Sequence, residues 1–128
     1  GYTLRVPWQV VLLDEVVDWY EDLTSAVPDT AALVAAAIDL LEEHGPVLGR
    51  PLVDTVTGSS VVNLKELRPG SRGRSEIRIL FAFDPSRQAV LLMAGDKSGS
   101  WSDWYRQAIP VAEDRFRRWL SGDYTEER

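Results

Sequence analysis

The segment 61–84 constrains the fold most strongly, because its pattern predicts two apolar strands joined by a basic loop. The stretch Val61–Arg68 is rich in β-branched and apolar residues and predicts the first strand. Pro69 ends that strand because proline cannot donate a ladder hydrogen bond. The second strand, Glu76–Asp84, alternates between a face that carries Arg78 and an apolar face. The apolar face comprises Ile77, Ile79, Phe81 and Phe83.

Positive charge is concentrated in this same segment. The loop PGSRGRS contains two glycines and no large apolar side chain. Between Lys65 and Arg78, five cations face two carboxylates, a net formal charge of +3. The cations are Lys65, Arg68, Arg72, Arg74 and Arg78, and the carboxylates are Glu66 and Glu76. Apolar strands that carry cations on their exposed side predict an anion-binding surface on a rigid platform.

The charge of the whole chain, unlike that of this segment, is negative. The formal net charge is −6, which by itself argues against a nucleic-acid-binding protein. The acidity is concentrated in residues 1–62, which hold two basic and ten acidic residues. Residues 63–128 hold twelve basic and ten acidic residues. Because a phosphate responds to local potential, the basic segment still favours anion binding.

Composition excludes several classes of protein. A length of 128 residues suits one domain, 1–128, with a core of about 8–121 and flexible termini. The absence of cysteine excludes disulfides and thiolate metal sites, and the single histidine, His44, excludes a multi-histidine zinc site. We expect no metal or other cofactor. No apolar run is long enough to span a bilayer and no signal peptide is evident, so we expect a cytoplasmic protein without a membrane partner.

The N-terminal half predicts a strand followed by two helices. Trp8–Leu13 is a short apolar run, and Asp14 is a candidate cap for the helix that follows. Asp29 is a candidate cap for an alanine-rich second helix that ends near His44, before Gly45 and Pro46. The two helices predict an antiparallel hairpin packed on a sheet. Residues 47–60 predict a connection, in which Arg50 either binds an anion or, the interpretation we favour, pairs with a nearby carboxylate.

The C-terminal half predicts a central strand and a final helix. Residues 89–94 are apolar on both faces, which is typical of a strand covered on both sides. One or two helical turns, capped by Ser102, precede a last helix that begins at Pro110. The predicted element order is β-α-α-β-β-β-α. The predicted fold class is therefore α+β, with two N-terminal helices packed on a mainly antiparallel four-stranded sheet and a C-terminal helix.

Three motifs carry a family resemblance: NLKELRP, GRSEIRILFAFDP and LLMAGDK. With the predicted element order, they resemble the RelE/ParE toxin superfamily, in the phage-derived, HigB-like branch of type II toxin–antitoxin systems. The pair Trp104-Tyr105 and the IP-x-A-(D/E) sequence at Ile109 match this branch as well. The resemblance implies a RelE-like fold and a small ribonuclease that cleaves mRNA, usually in the ribosomal A site. It also implies a cognate helix-turn-helix, HigA-like antitoxin as a partner.

The resemblance assigns candidate catalytic residues. Arg78 matches the strand arginine that the superfamily uses near the scissile phosphate, and Lys97 matches its second cation there. Lys65 is a candidate general base if neighbouring cations lower its pKa. Glu66 alternates to the face opposite Lys65, which makes it a poor base. No metal is required, because the 2′-hydroxyl of RNA is an internal nucleophile.

Other residues are candidates for RNA binding. The candidates are Arg68, Arg72 and Arg74 for backbone phosphates, and Trp104 and Tyr105 for base stacking. The competing interpretations are solvated arginines and aromatic rings that belong to the core. Several HigB-like enzymes carry histidine or acidic side chains on the cleavage face, and none is evident here. The identities of the general base and acid therefore stay open.

Three functions remain possible on this evidence. The first is an endoribonuclease that acts on ribosome-bound mRNA. The second is a ParE-like toxin of the same fold that binds DNA gyrase and cleaves nothing. The third is a catalytically inactive relative that binds its antitoxin.

Overall fold

The computed structural model of the chain describes residues 7–70 and 73–124. Its helices and strands are β1 (Gln9–Leu12), α1 (Asp14–Ala26), α2 (Pro28–His44), β2 (Val53–Thr55), β3 (Lys65–Leu67), β4 (Ile77–Phe83), β5 (Gln88–Asp96) and α3 (Trp101–Leu120). Within the described residues the strands form one five-stranded sheet in the order β1-β5-β4-β3-β2. Strand β1 runs parallel to β5, and the other neighbouring pairs are antiparallel. None of the helices in these residues is long and apolar enough to cross a membrane.

The α+β class is confirmed, but the predicted number of strands is wrong. Strand β2 lies in the predicted connection and pairs with β3, with Val53 opposite Leu67. Three residues are too few to give a periodic signal, so only the pairing with β3 reveals this strand. The predicted strand Val61–Arg68 is also shorter than expected, because Asn63 adopts a positive φ of 62° and turns the chain before β3.

Helices cover both faces of the sheet and bury a separate core on each. Helices α1 and α2 pack on the face that carries Leu67, Ile79 and Phe81, where Val34 and Leu41 are fully buried. Helix α3 packs on the other face. The buried residues there include Leu80, Val90, Leu92, Ala108, Ala112 and Phe116. The sheet therefore separates an α1/α2 side from an α3 side, and every strand residue belongs to one or the other.

A bulge in β5 decides which residues face α3 near the end of that strand. Leu80 lies opposite Met93 and Phe81 lies opposite Leu91, so Leu92 is the extra residue. The Nη1 of Arg115 donates a 2.8 Å hydrogen bond to the carbonyl oxygen of Leu92. This bond satisfies a backbone group at the position where the ladder is interrupted. Beyond the bulge, Gly95 lies opposite Arg78.

The C-terminal region is one helix, so the prediction of separate turns and a last helix beginning at Pro110 is wrong. Pro110 lies inside α3, where it removes one backbone hydrogen bond at a cost of about 3 kcal/mol. Ala108 precedes the proline and Ala112 and Phe116 follow it, and all three are buried against the sheet. Burial on both sides of Pro110 offsets the lost bond and keeps the helix continuous.

The predicted N-caps of the first two helices lie one or two positions inside them. Asp14 is the first residue of α1, after Leu13 at the cap position. Asp29 is the second residue of α2, because Pro28 takes the first helical position. Proline suits that position, since its missing N–H has no partner there in any helix.

The predicted flexibility of the termini concerns residues 1–6 and 125–128, which lie outside the described ranges.

Candidate active site in a cup beneath helix α3

A cup of about 570 Å³ opens between the β2–β3 edge of the sheet and the first half of α3. Its lining includes two groups of side chains. The charged residues are Arg50, Asp54, Glu66, Arg68 and Lys97, and the larger apolar and aromatic residues are Trp101, Tyr105 and Ile109. The volume is typical of a small-molecule or nucleotide site. Strands β2 and β3, the turn after β5 and helix α3 all contribute, so the cup exists only in the folded chain.

Glu66 lies at the floor of the cup and is 4% exposed. The hydroxyl of Tyr105 donates a 2.6 Å hydrogen bond to its Oε1. The Nε of Arg78 lies 3.3 Å from the same oxygen, and Nη2 of Arg68 lies 3.5 Å from Oε2. A buried carboxylate with two cations and a hydroxyl around it is compensated for the loss of water.

Arg78 is held from two sides. Its Nη1 donates a 2.8 Å hydrogen bond to the carbonyl oxygen of Ile77, and its side chain is 16% exposed. Its Nε–H, like that of Arg68, is buried and makes no hydrogen bond. Arg78 Nε is therefore close enough to Glu66 for an ion pair but is not aimed at the carboxylate. Such incompletely satisfied polar groups are uncommon in native cores, and a catalytic role is one of the reasons for them.

A second carboxylate, Asp54, lies closer to the rim. Its Oδ2 is 3.0 Å from Nη2 of Arg50 and 3.3 Å from Nη2 of Arg68. The predicted pairing of Arg50 with a carboxylate is confirmed. The hydrogen bond from Arg50 and the backbone N–H of Thr55 lower the pKa of Asp54, so it is ionised at neutral pH. Asp54 therefore partly neutralises the arginines of the rim.

Lys97 differs from the three arginines because it lies beside aromatic rings, whereas they lie beside carboxylates. Among the described residues it makes no ion pair with a carboxylate. Its Nζ instead lies 5.4 Å from the ring centroid of Tyr105 and 6.0 Å from that of Trp101. The charged residues that line the cup in the described part of the chain, three cations and two carboxylates, have a formal charge of +1, and Arg78, which contacts Glu66 from outside the lining, brings the group to +2. The cup thus attracts anions, and Lys97 is the cation most available to one.

Tyr105 is protonated at neutral pH. Burial, followed by the hydrogen bond to Glu66, raises the pKa of Tyr105 to about 12. A hydroxyl in this state is a proton donor, and its own proton is aimed at Glu66. Tyr105 and Glu66 therefore form a coupled donor–acceptor pair at the floor of the cup.

Lys65 lies on the other face of the sheet, so the prediction that it meets Arg78 and Lys97 is wrong. Lys65 pairs with Phe81 on the α1/α2 side, and its Nζ donates a 2.9 Å hydrogen bond to Thr55 Oγ1. Glu66, set aside as a base in the sequence, pairs with Leu80 on the α3 side and so faces Arg78. The register between β3 and β4 therefore places Glu66, and not Lys65, on the face of the sheet that carries Arg78.

The predicted RNA-binding residues are dispersed. Arg68 and Tyr105 line the cup, whereas Arg74 is exposed on a turn beside Ser98 and Gly99. Arg72 lies outside the described residues. Trp104 packs against Tyr105 and the α3-side core, and a Cβ at Gly95 would clash with its indole. This placement favours the core interpretation of Trp104.

Sequence reasoning missed three features of the cup. These are the inward position of Glu66, the carboxylate of Asp54 and the 63% exposure of Trp101. The apolar Leu67 could have indicated the position of Glu66. Leu67 lies on the same face of the strand as Lys65, and an apolar residue there predicts that this face packs with the apolar, odd-numbered residues of β4, which leaves Glu66 on the face of Arg78. The described residues contain no group of three or more histidine or acidic side chains that could hold a metal ion.

Comparison with known proteins identifies clear relatives. Residues 21–117 match the family model described as "Phage derived protein Gp49-like". The chain is 52% identical over 120 residues to the proposed toxin HigB2 of Mycobacterium tuberculosis, covering 88% of this chain and 60% of HigB2. It is 50% identical over 115 residues to the proposed toxin HigB3 of the same organism, covering 90% of this chain and 96% of HigB3. The chain thus spans less than two thirds of HigB2. No solved structure matches the chain.

Proposed function

The chain belongs to the phage-derived Gp49-like family, in its HigB-like branch, and from this premise we propose that it is a toxin that cleaves ribosome-bound mRNA. The observation that carries the proposal is the Tyr105–Glu66 pair in the cup, with Lys97 beside the ring of Tyr105 and Arg78 in contact with Glu66. A proton donor, a proton acceptor and cations are the groups that RNA transesterification requires.

The proposed reaction uses the RNA's own 2′-hydroxyl as nucleophile. The 2′-oxygen forms a bond to the adjacent phosphorus as the bond from phosphorus to the 5′-oxygen breaks. One proton leaves the 2′-hydroxyl and another is delivered to the departing 5′-oxygen. The products are a 2′,3′-cyclic phosphate and a 5′-hydroxyl, so atoms and charge balance without a co-reactant. The reaction needs no metal ion to generate the nucleophile.

Glu66 and Tyr105 supply the proton transfers in this proposal. Glu66 accepts the proton of the 2′-hydroxyl, and Tyr105 protonates the 5′-oxygen. A phenol with a pKa of about 12 is still a stronger acid than an alcohol, so transfer from Tyr105 to an alkoxide is downhill. The 2.6 Å hydrogen bond between the two groups then lets Glu66 return a proton to Tyr105, which resets the site.

Arg78 and Lys97 stabilise the extra negative charge of the phosphorane. The hydrogen bond to the Ile77 carbonyl orients Arg78 in advance, and Glu66 lies within ion-pair distance, so little reorganisation is needed when charge develops. Lys97 is not engaged by a carboxylate of the described residues and is available to a phosphate oxygen. By analogy with the removal of one oxyanion-hole donor, loss of either cation costs about 10²–10³-fold in rate. Arg68 is placed to bind a neighbouring backbone phosphate.

The proposed partners follow from the same function. A cognate HigA-like, helix-turn-helix antitoxin would neutralise the toxin, and the ribosome would present the mRNA in the cytoplasm. An antitoxin that covers the cup would block both proton transfer and phosphate binding. Copurification of the coexpressed pair, and loss of mRNA cleavage upon pairing, would test this part of the proposal.

One observation favours a second candidate function, that of a non-catalytic toxin or relative. Each arginine of the cup already contacts a carboxylate: Arg50 and Arg68 contact Asp54, and Arg78 contacts Glu66. A substrate phosphate must compete with these carboxylates for the guanidinium groups. A ParE-like toxin that binds gyrase, or an inactive protein that binds an antitoxin, would not need free cations.

Ectopic expression with transcriptome-wide mapping of mRNA 5′ ends separates these functions. Codon-dependent cuts with 5′-hydroxyl ends support the endoribonuclease, gyrase-linked DNA breaks support the ParE-like toxin, and no growth effect supports the inactive relative. Arg78→Ala and Lys97→Ala should each lower the cleavage rate about 10²–10³-fold, and Tyr105→Phe, which removes the proton donor, should lower it about 10²–10⁴-fold. Lys65→Ala is the matched control, because it removes a cation from the same strand as Glu66 but from the other face. Circular dichroism confirms that each variant folds.

A further inference from the structure

We infer that Trp101 is a stacking platform for an unpaired nucleobase next to the phosphate held at Lys97, an inference that rests on the proposed function. Trp101 is the first residue of α3, lines the cup and is 63% exposed. Its ring meets Tyr105 edge to face, with centroids 6.4 Å apart. An indole in this arrangement keeps ring surface available for a planar partner.

The position of Lys97 makes a nucleotide the fitting ligand. Its ammonium lies 6.0 Å from the ring centroid of Trp101. A nucleotide carries a negatively charged phosphate and a flat base separated by one ribose, and this cation and ring offer a partner to each. Aromatic side chains beside a cationic groove are the recurrent elements of single-strand recognition. An acidic peptide would satisfy Lys97 but would leave the indole without a flat partner.

The backbone holds Lys97 and Trp101 in a defined relation before any ligand arrives. The N–H of Lys97 donates to the carbonyl of Glu76 at 3.0 Å, and the N–H of Ser100 donates to the carbonyl of Lys97 at 3.3 Å. Gly99 supplies the positive φ of 83° that this turn requires. The turn then enters α3 directly at Trp101, so binding a base would require little ordering of the chain.

This geometry assigns to Trp101 the stacking role that the sequence predicted for Trp104. Trp104 packs toward Gly95 and the α3-side core, where a base cannot reach both faces of its ring. Trp101 lies three residues earlier on the same helix and belongs to the exposed rim. Stacking on Trp101 orients the strand so that the adjacent phosphate reaches Lys97, beside the Tyr105–Glu66 pair.

Binding of short single-stranded oligonucleotides tests the inference directly. The probe carries 2′-O-methyl riboses, which prevent cleavage, and a matched probe has the same backbone without bases. Trp101→Ala should weaken binding of the first probe about 5- to 150-fold, the equivalent of a stack worth about 1–3 kcal/mol. Binding of the base-free probe should be unchanged, and Trp101→Phe should restore most of the affinity. Leu120→Ala, an exposed apolar residue at the far end of α3, is the control.

The same variants are then compared for cleavage of ribosome-bound mRNA, where Trp101→Ala should raise KM more than it lowers kcat. Equal losses for the two probes, or unchanged binding and cleavage in Trp101→Ala, overturn the inference while the proposed function stands. A wild-type protein that neither binds the probes nor cleaves mRNA overturns the proposed function and this inference together.

Discussion

The hydroxyl of Tyr105 should contribute measurably to stability, and Tyr105→Phe removes it while keeping the ring. The bond to Glu66 is 2.6 Å long and its acceptor is a carboxylate that is 4% exposed. Hydrogen bonds to charged groups contribute about 1.5–3 kcal/mol. Because Glu66 keeps its two arginines in the variant, we expect a loss of about 2 kcal/mol in the free energy of unfolding.

This loss converts into a shift of the melting temperature. At about 2.1 cal/mol/K per residue, the 128 residues give an unfolding entropy of about 0.27 kcal/mol/K near Tm. A loss of about 2 kcal/mol should therefore lower Tm by about 7 °C. Tyr20→Phe is the matched control, because its hydroxyl lies 3.4 Å from the uncharged carbonyl oxygen of Ala31. That control should cost less than about 1 kcal/mol.

A double-mutant cycle that combines Tyr105→Phe with Glu66→Gln measures the interaction energy between these two side chains, apart from their contacts with other residues. Glu66→Gln alone should cost about 3 kcal/mol, since it leaves the positive charge of Arg78, 16% exposed, without its carboxylate. If Tyr105 and Glu66 interact as the 2.6 Å distance implies, the double variant loses less than the sum, by about 1 kcal/mol. Urea unfolding followed by tryptophan fluorescence measures all four proteins.

The outcome that refutes this reasoning is additivity. Losses in the single variants that sum to that of the double variant within about 0.5 kcal/mol would mean that the hydroxyl bonds no more strongly to the carboxylate than to the amide oxygen of glutamine. A Tyr105→Phe variant as stable as the wild type would mean that the hydroxyl makes no stabilising bond at all. The proton relay would then lose its structural basis, although the two cations could still bind phosphate.

Three further predictions follow from the geometry. Because the pKa of Tyr105 is raised from 10.0 to about 12 on folding, its stabilising effect is present below pH 10 and lost between pH 10 and about 12. The stability difference between wild type and Tyr105→Phe in urea unfolding should shrink over that range, and a constant difference would contradict it. Gly95→Ala should destabilise by about 1–3 kcal/mol because its Cβ meets the indole of Trp104, whereas Gly49→Ala, with open space around it, should not. Lys65→Ala should change stability by less than about 1 kcal/mol and leave the proposed mRNA cleavage unchanged, and a loss of cleavage would return Lys65 to the candidate site.

Local patterns in the sequence were sufficient for most of the architecture. The alternation in β4, the alanine-rich α2 and the apolar run of β5 predicted elements that the structure contains. The motifs around Arg78 and Lys97 indicated the family, which the match over residues 21–117 confirms. Elements defined by long-range burial were less predictable. The short strand β2 depends on pairing with β3, and the continuity of α3 through Pro110 depends on packing against the sheet.

The chain's own sequence determined which residues alternate along each strand, because alternation is a property of the extended backbone alone. Only the tertiary structure decided which residues of neighbouring strands face the same side of the sheet. That depends on the register between β3 and β4 and on the bulge at Leu92 in β5. A shift of one residue between β3 and β4 would bring Lys65 to Arg78 and turn Glu66 away. The observed register instead joins Glu66, Arg78 and Tyr105, and so converts a cluster of cations into a cup with its own proton donor and acceptor.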